Sequence, residues 1–295
     1  MESRKIIYSP EYEIDIGPHV FSTSKYRLIK ESLIKNHNLR EEDFLCPEKC
    51  GPPLLLEVHT REYVDKMLSG NLSIADEIRL ELPYSRELAY AAMLSCSGTV
   101  MACEVALEKG AGVHLGGGFH HAYPDHGEGF CVFNDVAIAA VRMVKKGKKV
   151  LIIDCDLHQG NGTACILRGN PDVFTFSMHQ QNNYPFQKEI SSLDLPLEDG
   201  MTGPEYNKLL LNSIRDIKDV FRPGFLIYVA GADTYEYDQL GGLALTAEDL
   251  LQRDMIVGSE ITGVPTAVVL AGGYAGKIED TVSIHVNTAV AFLKG

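Results

Sequence analysis

From residue 111 onward, short apolar runs alternate with longer segments of helical spacing, and this alternation constrains the fold more than any other feature of the chain. The runs lie at residues 113–115, 149–154, 173–178, 225–230 and 266–270. They are apolar at nearly every position, the pattern of strands covered on both faces. The intervening segments read as helices over 134–145, 204–220 and 246–259, with a last one over about 278–293. Thr246 caps the third, with Glu248 and Asp249 in its first turn. This succession predicts an α/β protein: a single domain, taken as 1–295, with a mostly parallel central β-sheet and helices on both faces. The first half is less regular. Its predicted helices are 24–36 (Tyr26, Ile29, Leu33 and Ile34 on one side), a Thr60-capped segment to Met67, and a segment over 87–109 closed by Gly110.

In parallel sheets, sites form beyond the carboxyl ends of the strands. The run at 149–154 leads into Asp154-Cys155-Asp156-Leu157-His158-Gln159-Gly160-Asn161-Gly162. Backbone that stayed extended would put Asp154, Asp156 and His158 on one face. One Asp after a strand is ordinarily a turn former or a helix cap. Two carboxylates and an imidazole at alternate positions suit a divalent cation. Asp233, reached from the run at 225–230 through Gly231-Ala232, is the natural further ligand. Asp156, His158 and Asp233 together would leave a position for water; the donor set suits Zn²⁺, with Fe²⁺ also compatible.

His120 and His121 follow Gly116-Gly117-Gly118. Imidazole near neutral pH supplies the general base and the proton donor that a hydrolase needs. The glycines would let the backbone turn tightly and come close to the metal, and no Gly-Lys-Ser/Thr or GxGxxG pattern supports a phosphate site. Tyr274, after Gly272-Gly273, offers a phenol to a developing oxyanion. Phe130, just after Gly129, is a candidate channel wall, with Tyr184 and Phe186 facing it.

Charge narrows the partners. Asp and Glu number 40 against 27 Lys and Arg, a net charge of −13. That disfavours nucleic acid, whose binding rests on phosphate neutralisation, and is compatible with cationic substrates. No segment is read as approaching the roughly 20 apolar residues of a membrane span. The opening Met1-Glu2-Ser3-Arg4-Lys5-Ile6-Ile7-Tyr8 is too short for a signal-peptide core, so a cytoplasmic protein with reduced cysteines is expected.

Taken together, these segments resemble the histone deacetylase family, within the arginase/deacetylase fold. The resemblance rests on Gly116-Gly117-Gly118-Phe119-His120-His121-Ala122, Gly129-Phe130-Cys131-Val132-Phe133-Asn134-Asp135, the run from Asp154 to Gly162, Gly231-Ala232-Asp233 and Gly272-Gly273-Tyr274. A weaker similarity lies at His59-Thr60-Arg61-Glu62-Tyr63-Val64. His158-Gln159-Gly160-Asn161 is most like the class IV branch. The resemblance implies Zn²⁺ on Asp156, His158 and Asp233. It implies His121 as base and then acid, His120 paired with Asp154, and Tyr274 on the acyl carbonyl. Gly129, Phe130 and Tyr184 would line the substrate channel. A structural K⁺ would be held by Asp154 and Ser177, with backbone carbonyls of Asp156, His158 and Met178. The implied reaction removes acetyl or longer fatty acyl groups from N-ε-acyl-lysine in a protein or peptide. An acetylpolyamine or other small amide is the second reading, and a non-enzymatic acyl-lysine binding module the third. Arginase-type relatives carry a further Asp where this chain has Gly160, so one metal site is expected rather than two.

Asn161 stands where some relatives pair His121 with Asp. A neutral amide raises the imidazole pKa less than a carboxylate does. An Asn161→Asp variant is therefore expected to move the acidic limb of the pH–rate profile upward.

Overall fold

A computed structural model describes residues 5–294. Eight strands form one sheet: β1 (Ile6–Ile7), β2 (Phe44–Leu45), β3 (Ala111–His114), β4 (Val150–Asp154), β5 (Val173–Gln180), β6 (Leu193–Leu197), β7 (Phe225–Val229) and β8 (Thr266–Val269). The helices are α1 (Lys25–His37), α2 (Pro52–Leu55), α3 (Arg61–Ser69), α4 (Ile74–Leu80), α5 (Arg86–Lys109), α6 (Asp135–Lys145), α7 (Asn161–Leu167), α8 (Gly203–Val220), α9 (Ala247–Glu260) and α10 (Ile278–Lys294). The strand order is β2-β1-β3-β8-β7-β4-β5-β6, and every pairing is parallel. The chain is thus a single α/β domain of the expected kind.

Successive strand residues point to opposite faces, so each apolar run feeds two cores. Val150, Ile152, Phe225, Ile227, Val229, Ala267 and Val269 pack with residues of α6 and the second half of α5. Leu151, Ile153, Leu226, Tyr228 and Val268 pack on the other face, against residues of α1, α8, α9 and α10. Side-chain caps set several helix starts. Thr60 accepts from Tyr63 N, Asn134 from Ala137 N, and Thr246 with Asp249 forms a capping box. One expectation needs correction. Helix α5 is long and apolar enough, by length and composition, to cross a bilayer, although no segment was expected to be. It is a core helix: 72% of that apolar stretch is buried.

β3, β8, β7 and β4 are consecutive neighbours in the sheet. The loops after these four strands carry His120-His121, Tyr274, Asp233 and Asp156-His158. Residues more than a hundred positions apart therefore converge over one stretch of the sheet's carboxyl edge.

A buried ion pair beneath that edge ties helices to loops. Arg253 on α9, fully buried, meets Asp254 Oδ1 at 2.9 Å and donates to Gly231 O at 2.6 Å and Cys155 O at 3.4 Å. Asp254 also accepts from the Tyr228 hydroxyl at 2.6 Å and the Thr288 hydroxyl at 2.5 Å. Removing one partner strands the other charge in the interior. Asp254→Ala should lower the unfolding free energy by about 3–5 kcal/mol in equilibrium denaturation.

Candidate active site

The chain does not stay extended past Asp154, as the alternation argument had assumed. Strand β4 ends there, and two successive turns follow. Asp154 Oδ1 accepts from Asp156 N at 3.1 Å, and Asp156 Oδ1 from His158 N at 3.0 Å. Asp233 Oδ1 accepts from Leu157 N at 2.9 Å, docking the β7 loop on the same turn. The effect is to sort the polar residues. Asp156 and His158 turn toward Asp233, whereas Asp154 turns toward His120.

Ligand atoms of Asp156, His158 and Asp233 lie within 4.8 Å of one another, and all three side chains are buried. His158 Nδ1 is 3.3 Å from Asp156 Oδ1 and 3.3 Å from Asp233 Oδ2. Asp233 Oδ2 completes no hydrogen bond. Burial first, and then the Asp156 charge, push Asp233 up to about 6. Burial opposes ionisation of Asp156 too, yet His120 and His158 hold it well below the usual carboxylate range. Two buried carboxylates, an imidazole and an unsatisfied oxygen in such a group fit a divalent cation. The glycines that make room are Gly231 and Gly272. A Cβ at Gly231 would meet Asp156 and Asp233 oxygens at 2.6 and 2.7 Å, and one at Gly272 would collide with both carboxylates. Gly272 N also donates to Asp156 Oδ2 at 2.9 Å.

Gly116-Gly117-Gly118 serves a different end from the close metal approach that its position suggested. Gly117 and Gly118 take φ of 76° and 85°, and the loop is pinned by the buried Asp135. That carboxylate accepts from Gly118 N at 3.0 Å, Phe119 N at 2.7 Å and Thr99 Oγ1 at 2.5 Å. The turn delivers two histidines with opposite partners. His120 Nδ1 lies 2.7 Å from Asp154 Oδ2, and His121 Nδ1 lies 2.7 Å from Asn161 Oδ1. Their Nε2 atoms meet at 3.1 Å. Burial disfavours both imidazolium forms, but Asp154 and Asp156 hold His120 up at about 9. His121 is driven well below the ordinary value by burial and by the neighbouring His120 and His158. One imidazole is therefore a cation and its neighbour a neutral base.

These groups line a cavity of about 180 Å³. His120, His121, Asp156, His158 and Tyr274 all border it, with Gly129, Phe130 and Tyr184 on its walls. Asp238 fixes the Tyr274 loop by accepting from Tyr274 N at 2.6 Å. Burial and the surrounding carboxylates raise the Tyr274 phenol well above its usual value, so it stays a proton donor. Behind it sits Lys25, whose Nζ donates to Ala271 O at 2.8 Å and lies 5.6 Å from the Tyr274 ring. Burial lowers that ammonium to about 8 against the pull of Asp233, Asp156 and Asp238. Phe130 has φ of 68°, and its ring meets Tyr274 edge-on at 5.9 Å. Tyr184 meets His121 edge-on at 5.0 Å. Phe186 is not a wall: it is 99% exposed. Strand β5 ends at Gln180, so residues two apart in the turn beyond it need not share a side.

The expected monovalent-cation residues sit beside this group. Asp154 and Ser177 are in register on paired β4 and β5, and Met178 is buried next to them. The Ser177 hydroxyl is 3.0 Å from His179 Nδ1, a partner the sequence had not suggested.

The model of the histone deacetylase domain matches residues 19–289. The chain belongs to the histone deacetylase family. It is 37% identical to an uncharacterised protein of Picosynechococcus sp. over 285 residues, 95% of each chain. It is 28% identical to histone deacetylase 2 of Arabidopsis thaliana, covering 91% of this chain and 74% of that one. The crystal structure of the HDA15 HD domain superposes with a TM-score of 0.82 at 23% identity, covering 99% of this chain and 91% of the other.

Within this deacetylase site, several supporting residues escaped the sequence reading. Glu128, Lys25, Asp135 and Asp238 act through partners far away in the chain, and no local pattern marks them. Asp135 stood inside a matched segment without an assigned role. The tight packing at Gly272 supplies a direct test. Gly272→Ala should displace both carboxylates and weaken divalent-metal binding about 10–100-fold, measured by calorimetric titration of metal-free protein.

Proposed function

We propose that the protein removes acyl groups from N-ε-acyl-lysine by metal-assisted amide hydrolysis, with Asp156, His158 and Asp233 holding zinc. One observation carries the reading: a neutral imidazole, a cationic imidazole and a phenol face a buried two-carboxylate, one-imidazole group across one cavity. A divalent ion bound there supplies Lewis acidity, lowering the pKa of a water and polarising an acyl carbonyl. Iron(II) fits the same donors.

The chain's own groups do the rest. His121 Nε2 takes the proton of the attacking water, because burial and the neighbouring His120 cation keep that ring neutral. Tyr274 donates its phenolic proton in a hydrogen bond to the carbonyl oxygen as negative charge builds there. His120, held as a cation by Asp154, keeps positive charge beside that developing anion. The proton taken up by His121 then passes to the departing amine. Phe130 and Tyr184 exclude water from the acyl-lysine stem, and Gly129 leaves room between Tyr184 and His121. A structural K⁺ at Asp154, Ser177 and the carbonyls of Asp156, His158 and Met178 completes the proposal.

The His158-Gln159-Gly160-Asn161 run supports placement in the class IV branch. Gln159 is a buried clamp here, donating to Glu189 O and Asp194 Oδ1, each at 2.8 Å. A second substrate reading, an acylated polyamine, is favoured by Glu81 on the cavity lining and by the net charge of −13. A panel of acetyl-lysine peptides, long-chain acyl-lysine peptides and acetylpolyamines, with and without chelator, decides between them. Acyl-lysine turnover abolished by chelator and restored by zinc is expected; cleavage of polyamines alone would replace the lysine reading. Tyr274→Phe should lower turnover by roughly 10²–10³ with the fold intact.

A further inference from the structure

The two ring nitrogens of His121 face opposite ways. Nε2 meets His120 on the cavity side, and Nδ1 meets Asn161 Oδ1 on the other. A carboxamide can turn over with almost no change of shape. Nothing in Asn161 itself therefore decides whether His121 meets a carbonyl oxygen or an amino group. On this side the decision lies one residue further out; on the cavity side His120 Nε2, 3.1 Å from His121 Nε2, favours the same tautomer.

Asn161 Nδ2 donates to Glu128 Oε1 at 2.8 Å and to the Tyr123 hydroxyl oxygen at 3.3 Å. An ionised carboxylate only accepts, so a turned amide would set two acceptor oxygens against each other at that distance. Tyr123 reinforces the choice: its own proton goes to Glu189 Oε1 at 3.2 Å, leaving a lone pair toward Asn161. Glu128 is held in turn. Its Oε2 lies 3.3 Å from His126 Nε2, and its backbone exchanges hydrogen bonds with Cys131 at 3.1 and 2.9 Å. Burial raises its carboxyl, but hydrogen bonds from His126 and Asn161 outweigh that and keep it below the usual range.

We propose that Glu128 is a positioning residue that, through Asn161, holds His121 as the Nδ1–H tautomer with its Nε2 lone pair directed to the cavity side, toward His120 Nε2. This rests on the reading of His121 as the general base. The opposite tautomer would carry a proton on Nε2 and have no lone pair for water. Glu128 is not among the residues lining the cavity; it sets which end of an amide faces the base.

The first test needs no turnover. Metal-free protein labelled with ¹⁵N in histidine should show His121 as the Nδ1–H tautomer. Glu128→Ala should shift it toward a mixture, and Glu128→Gln, which offers both an oxygen and an amino group, should shift it partway. An unchanged tautomer in both variants, or an Nε2–H tautomer in the wild type, overturns the proposal. The second test is kinetic. Glu128→Ala should lower kcat about tenfold, with KM within about twofold because no ground-state contact is lost. In an Asn161→Asp background there is no amide to turn, and the same substitution should cost nothing or relieve repulsion between two carboxylates. Equal losses in the two backgrounds would mean a merely structural role and overturn the proposal. If the wild type cleaves no acyl amide, the functional reading fails, and the tautomer measurement still decides the role of Glu128.

Discussion

Two buried carboxylates that face one another, Asp156 and Asp233, are the constraint on which this molecule is organised. Like charges in a low-dielectric interior repel strongly, and each also loses its hydration. The shifts of the pair in opposite directions express that conflict. Such a pair must share a proton, take up a cation or be relieved by a base, and His158 alone supplies only part of the relief. The surroundings answer the same demand. Backbone N–H groups of His158, Leu157 and Gly272 point at the carboxylates, and Gly231 and Gly272 remove the side chains that would crowd them. Around this pair the two histidines divide their duties. Asp154 makes one a standing cation, and Asn161 leaves the other neutral.

Bringing those groups together is the work of the sheet. No local segment could hold Asp156 against Asp233, which are far apart in the chain. A parallel sheet lets each apolar run end at the same edge, and the four relevant runs are neighbours there. The strand interiors are thus devoted to packing, while the chemistry is confined to the first few residues after each strand.

Much of this was legible in the sequence because strands and caps are written locally. Helices α5, α6, α8 and α9 begin within a residue or two of their predicted starts; Asn134 and Thr246 mark two of those starts by side-chain chemistry, and Gly110 marks the end of α5. Strands β1 and β2 escaped because two residues carry no period, and β6 because Pro196 interrupts its apolar pattern. Helix α7 was hidden by the glycines at 160 and 162, which argue for a loop. Asp156, His158, Asp233 and Tyr274 were legible as strand-end residues; the structure brings Asp156, His158 and Tyr274 to one cavity, with Asp233 buried against the first two. The turn geometry past Asp154 was not, because an extended and a turned backbone share one local pattern. Asp135, Asp238 and Lys25 were illegible for a different reason: each bonds residues far away in the chain, and Glu128, held locally by His126 and Cys131, shows its role only through the distant Asn161.

Arg253 carries one more implication. Its guanidinium is anchored by Asp254, itself held by the Tyr228 and Thr288 hydroxyls, in a buried core, yet two of its hydrogen bonds end on the carbonyls of Cys155 and Gly231. Those carbonyls sit one residue before Asp156 and two before Asp233. Helix α9 contributes no residue to the cavity lining, yet it holds the backbone from which two of the site's carboxylates project. A change in this interior therefore reaches the aim of Asp156 and Asp233 without touching either side chain.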